Sequence, residues 1–285
     1  MNNLLFKLIR LSGLPWLFRE WVQGRKVTIW MLHDLDRAAA EQVLPWLSQH
    51  YNIISLEQYV AACEAGNAAG LPSKAAILTF DDGHRGNYRL LSLFKKFGIQ
   101  PTIFLCSGLV GSRRHYWFLY EQDELSTTAL KALPNTERLR QLETVGFYPE
   151  QEYETAQALD QKQINAMKPA VDFQAHTVFH PCLPQCDGPE AWAEIEGSKA
   201  QLEASYGLNI YALAYPNGDY TPREVEMAKR AGYRCALTVE PGYNGLNTDL
   251  FRLKRFSLND TDNMDELIVK ASGCWGLFKK LLKGA

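Results

Sequence analysis

Short apolar, β-prone runs alternate along this chain with longer stretches whose apolar residues recur every three or four positions. The first kind occupies 27–32, 75–80, 102–105, 171–175, 211–214 and 236–239 and predicts strands; the second predicts helices over 38–50, 56–65, 88–97, 190–206 and 222–231. Strand and helix in regular alternation predict a parallel α/β sheet or barrel. The stretch 113–169 is too long for a simple crossover and is rich in Glu, Gln and Leu, so it reads as a helical insertion. With no repeat, low-complexity tract or linker, residues 27–262 are expected to form one elaborated domain.

The two ends have a different pattern. In residues 1–26, Leu4, Leu5, Leu8 and Leu11 fit one amphipathic helix that stops near Gly13 and Pro15. Lys7 and Arg10 interrupt the apolar run and no small-x-small site follows, so a secretory signal is not the reading. In residues 263–285, Ile268, Ala271, Trp275, Phe278 and Leu282 fall on one helical side, with Lys279, Lys280 and Lys283 toward the end. Both ends are basic, aromatic and apolar, and the expectation is peripheral contact with an anionic membrane on its cytoplasmic face. Packing against the barrel is the alternative for each end. No apolar run reaches transmembrane length.

Composition narrows the classes. A chain of 285 residues that is 46% hydrophobic and 22% charged is that of a globular protein, and a formal net charge of −2 argues against a nucleic-acid partner. The six cysteines show no framework spacing and read as free thiols.

Polar groups of chemical use follow the predicted strands: His33-Asp34, Asp81-Asp82, Cys106-Ser107, His176, Tyr215-Pro216 and Glu240. In a parallel barrel these positions converge on one mouth. Asp81-Asp82-Gly83 alone makes a good turn, but two adjacent carboxylates at a buried strand end also ask for a cation or a proton-transfer role. His176 and His180 are four apart, so one helical turn after the strand would bring both imidazoles to one side. Two histidines and a carboxylate suit a divalent transition metal and leave a position open for water; zinc is the default, and cobalt, nickel or iron fit the same ligands. Cys182 and Cys186 follow closely, but Pro181 and Pro184 break the face and the spacing is not that of a zinc module.

The segments "TFDDG" (79–83), "HTVFHP" (176–181) and "AYPNGDY" (214–220), in this order, resemble the first three motifs of the NodB-type polysaccharide deacetylases, carbohydrate esterase family 4. The likeness covers about 27–258. It implies a distorted (β/α)7 barrel, one divalent metal and hydrolysis of N-acetyl groups on amino sugars. Residue by residue it makes Asp81 the general base, Asp82, His176 and His180 the metal ligands, and the amide of Asn217 an oxyanion donor. The substrate implied is an N-acetylated glycan, in a surface polysaccharide or its lipid-linked precursor.

The chain departs from the family in two places. The third motif lacks the Arg that orients the base, and Arg255 in "FRLKRFSLN" is the candidate replacement. No His follows Leu237, so His33 is the candidate proton donor, a barrel-rim hydrogen bond being its other reading. Trp117 and Tyr215 are candidates for stacking on sugar, with packing at the barrel rim their other reading, and His84 is expected at the surface, with a place lining the cleft as its alternative. A non-sugar amide substrate, or a catalytically silent glycan-binding protein, are the alternatives.

Overall fold

The computed structural model describes residues 3–120 and 126–283, apart from the side chains of Leu277 and 280–283. Lys280, Leu282 and Lys283 of the expected C-terminal pattern therefore lie outside the described side chains. Eight strands form one parallel sheet: β1 (Thr28–Leu32), β2 (Asn52–Ile53), β3 (Ala75–Phe80), β4 (Thr102–Leu105), β5 (Asp172–Ala175), β6 (Ala212–Ala214), β7 (Cys235–Leu237) and β8 (Phe256–Ser257). Seven run in the order β7-β6-β5-β4-β3-β1-β8, and β2 pairs separately with the start of β3. The sheet curls into a distorted (β/α)7 half-barrel with helices outside.

Alternation along the strands explains the two cores. Trp30, Leu32, Leu78, Phe80, Ile103 and Leu213 pack with the outer helices. Their neighbours Ile29, Ile77, Phe104, Ala212 and Leu237 pack together on the other face of the sheet. Every residue of β1 and β3 is buried, as a sheet covered on both faces requires. The sequence pattern missed β2 and β8 because each has only two residues, too few to show a period.

The last strand has a particular geometry. Leu253 bridges to Leu237 of β7, and three residues later Phe256 pairs with Trp30 of β1. The segment Leu253–Ser257 thus spans between strands at opposite ends of the sheet order. Leu253 packs with the inner core, and Arg255, two residues on, shares its side of the strand.

Between 113 and 169 the chain forms short helices at Thr127–Lys131, Asn135–Glu143 and Gln161–Met167. Trp117, Leu130, Leu142, Phe147 and Cys182 make a small core of their own there.

At the N-terminus a helix at Asn3–Leu11 is followed, after Gly13 at φ 77°, by a turn of helix at Leu14–Leu17. Phe6 and Ile9 pack with Val269, Cys274 and Trp275, and Arg10 pairs with Asp265 at 2.6 Å. The C-terminal segment differs from expectation. It is two helices, Met264–Ala271 and Cys274–Lys283, broken at Gly273. Gly273 has φ 80°, and a Cβ there would lie 2.6 Å from the Phe256 ring. Ile268 and Ala271 are buried, so the apolar side of the first helix faces the protein and not a membrane. Among the described residues no helix is long and apolar enough to cross a membrane.

Candidate active site

Asp81 continues the inward side of β3 through Ala75, Ile77 and Thr79, so its carboxylate enters the barrel. It is buried, as is Asp82. The turn reading of this stretch also holds. The Gly83 N–H donates back to the Asp81 carbonyl at 2.9 Å, and Asp82 and Gly83 both have positive φ. At Gly83 a Cβ would come within 2.6 Å of Leu105, so only glycine fits.

Arg255 meets Asp81 from across the barrel. Its Nη1 and Nη2 donate to Oδ1 and Oδ2 at 2.7 and 2.8 Å, a bidentate pair between buried groups. Nε donates to the Thr238 carbonyl at 2.8 Å, which fixes the guanidinium plane. Burial pushes Asp81 up, but the Arg255 guanidinium and then His176 outweigh it, so the carboxyl is held below its ordinary value.

Asp82 faces the histidines. Its Oδ1 lies 3.4 Å from His176 Nε2 and 3.5 Å from His180 Nε2, and is buried with no hydrogen-bond partner. His176 donates Nδ1–H to the Ala214 carbonyl at 2.8 Å, leaving the Nε2 lone pair toward Asp82. His180 is also buried, and burial pushes its pKa down to about 3, so it is neutral. Ligand atoms of the three residues lie within 4.8 Å of one another. Two buried imidazole nitrogens around an orphaned buried carboxylate oxygen fit a divalent cation.

The histidine pair meets without the helical turn expected of its spacing. Residues 176–180 form an irregular loop with Thr177 at φ 64° and His180 at φ 56°. Glu194, on the Gly188–Tyr206 helix, accepts the N–H groups of Val178 and Phe179 at 2.8 and 2.9 Å and clamps that loop. Two non-glycine residues in left-handed backbone are kept there by these bonds.

Other supports were not legible in the sequence. His84 is no surface residue: Nε2 lies 3.1 Å from Asp82 Oδ2, and the ring packs 4.8 Å from Tyr116. Tyr116 donates its hydroxyl to the Asp82 carbonyl at 3.0 Å. Trp117 and Tyr215 are corrected as sugar platforms, because both are buried. Trp117 donates Nε1–H to the His180 carbonyl at 2.7 Å, and Tyr215 stacks on Tyr220 while its hydroxyl reaches the Phe251 carbonyl at 3.3 Å.

His33 stands at the end of β1, with a 39% exposed imidazole 3.6 Å from Asp260. Burial lowers its pKa, but Asp260, Asp82 and Asp81 raise it further, to about 9. Asn217 follows β6 in left-handed backbone, φ 58°, and turns its carboxamide to Cys182 Sγ at 3.5 Å. Cys182 and Cys186 are buried and unpaired, and belong to the packing. A cavity of about 640 Å³ opens beside Arg255, with Val239, Pro241, Phe256, Trp275 and Lys279 among its walls.

A family model described as polysaccharide deacetylase matches residues 68–236. The chain belongs to the polysaccharide deacetylase family. Among curated proteins it is 24% identical over 184 residues to YxkH of Bacillus subtilis (strain 168), a polysaccharide deacetylase by provisional name. That match takes in 64% of this chain and 50% of YxkH, so the chain spans about half the length of that relative. The Streptococcus pyogenes deacetylase PplD, solved in complex with acetate, superposes with a TM-score of 0.62 at 21% identity, over 85% of this chain and 98% of its own. IcaB from Ammonifex degensii superposes at 0.60 and 19% identity, over 87% and 97%. These likenesses establish the shared fold. Asp81, Asp82, His176, His180 and Asn217 lie inside the span matched to the polysaccharide deacetylase model; Arg255 and His33 lie outside it.

Proposed function

We propose that this protein is a metal-dependent hydrolase that removes N-acetyl groups from an amino sugar of a cell-surface polysaccharide or its lipid-linked precursor. One observation carries the reading: a carboxylate held ionised by a buried guanidinium stands beside a carboxylate and two histidines suited to a cation. A purely structural metal site has no use for the second carboxylate, which argues against a silent glycan-binding protein. Asp82, His176 and His180 would hold the ion, with zinc first among the candidates. When bound, a divalent ion there supplies Lewis acidity to an acyl oxygen and makes water a better nucleophile.

The chain's own residues supply the proton transfers. Asp81, kept ionised by Arg255, takes the proton of the attacking water. His33, protonated at neutral pH through Asp260, is the donor for the departing amine, and the backbone amide of Asn217 is the oxyanion donor. Acetate, with which PplD was solved in complex, is the product this reaction would release.

The test is acetate release from a panel of N-acetylated glycans and lipid-linked sugars, with metal content measured on the same preparation. Release that stops on chelation and returns with zinc, cobalt, nickel or iron supports the reading. A metal-loaded preparation that binds a glycan without releasing acetate would sink it.

A further inference from the structure

The N-terminal segment carries a row of large apolar side chains left exposed to solvent. Leu4, Leu8 and Leu11 lie at i, i+4 and i+7 of the Asn3–Leu11 helix and are all exposed, Leu11 at 71%. Leu5 beside them is exposed, as are Leu14, Trp16 and Leu17 of the next turn and Trp21, at 72%. This is not a loose end. Phe6 is buried with Val269, Cys274 and Trp275, and the Arg10–Asp265 pair ties the same helix to the C-terminal one. The docked side fixes the helix's rotation and turns the leucines outward.

Charge selects the occupant of this face. Residues 1–26 include Lys7, Arg10, Arg19, Arg25 and Lys26 against a single carboxylate, Glu20. That carboxylate is held by Arg19 at 2.8 Å and Lys74 at 3.4 Å. Arg10 is matched by Asp265, but Lys7, Arg25 and Lys26 have no carboxylate partner among the described residues, and in a chain that is −2 as a whole this segment carries positive charge beside its apolar side chains. A second copy of the chain, meeting this face symmetrically, would set cations against cations. An anionic lipid surface satisfies both parts of the pattern.

We propose that the N-terminal face docks in the interface of an anionic bilayer, with its leucines and tryptophans in the headgroup–acyl boundary and its cations on lipid phosphates. Trp275, whose ring lies 5.2 Å from Phe6, also lines the cavity beside Arg255. That cavity thus lies on the docked side of the helix and not on the side of the leucines.

The experiment is flotation of the full chain with phosphatidylcholine vesicles, with and without phosphatidylglycerol, across a salt series. Binding should require the anionic lipid and weaken as salt rises, each cation at the surface contributing about fivefold at low salt. Leu8→Glu with Leu11→Glu should weaken binding at least about tenfold, and since both side chains are exposed the melting temperature should not move. Sedimentation without lipid supplies the other arm. A dimer abolished by the same two substitutions would assign the face to a second copy, and binding unaffected by them, or absent from both vesicles, would also overturn the proposal. No turnover is measured, so the result stands apart from the deacetylase reading.

Discussion

Replacing Arg255 by Met tests how the base is held. The substitution leaves the Asp81 carboxylate buried without the two donors at 2.7 and 2.8 Å. Removing one member of a buried ion pair costs about 3–5 kcal/mol. For a chain of this length that corresponds to a fall of about 5–9 °C in Tm. The pH dependence is the sharper signature. In the native protein Asp81 lies below its ordinary value, so its pairing stabilises above the ordinary carboxylate range and is lost as pH falls through the folded value. Without Arg255, burial dominates and the carboxyl moves up. Its ionisation then opposes folding as pH rises through the raised value. The stability gap between native and variant should therefore narrow as pH falls, and the acidic limb of the rate profile should shift upward with metal content unchanged. Urea titrations from pH 4 to 8 and acetate release over the same range measure both. A gap constant with pH, beside an unmoved acidic limb, would show that Arg255 does not set the charge of Asp81.

Asp81→Asn should retain the metal and lose turnover by about 10²–10⁴-fold, whereas His176→Ala or His180→Ala should lose both; elemental analysis of the purified variants separates the cases. Glu194→Ala removes the acceptor of two loop N–H groups and should weaken metal affinity by about 10–100-fold, read by competition with a chelating dye. Trp117→Phe leaves the buried His180 carbonyl without its donor and should cost about 1–3 kcal/mol in denaturant unfolding. Its KM for any glycan should stay unchanged, and a large rise in KM would restore the sugar-stacking role.

Much of the site could be read from alternation and spacing. Asp81 and His176 each end a short apolar run on its inward side, so the barrel expectation alone sends both to one mouth. Arg255 was within reach because a missing cation in the third motif demanded a replacement. The contacts that hold the site in shape were not legible. His84 reaches Asp82 because Asp82 and Gly83 turn through positive φ, a local geometry that residue type does not announce. Glu194 lies fourteen residues beyond His180, and only the packing of its helix brings it under the loop. For Trp117 and Tyr215 the packing reading holds and the sugar-platform reading does not: an aromatic near a barrel rim can lie in the core, and which it does depends on neighbours distant in sequence. The C-terminal stripe is divided between two helices broken at Gly273, and the packing of the first on the N-terminal helix and the sheet turns Ile268 and Ala271 inward.

The route by which Arg255 reaches Asp81 has a consequence for how the protein matures. The two are 174 residues apart, and the arginine arrives on the segment that links β7 to β1. During synthesis the two aspartates and both histidines emerge well before it. A nascent chain can therefore gather Asp82, His176 and His180, the proposed ligands, while the neighbouring carboxylate still lacks its counter-charge. On the proposed function, ionisation of Asp81 is secured only when Leu253–Ser257 docks across the sheet, so hydrolytic competence would be acquired late, together with completion of the fold, and a chain stalled before that step would lack it.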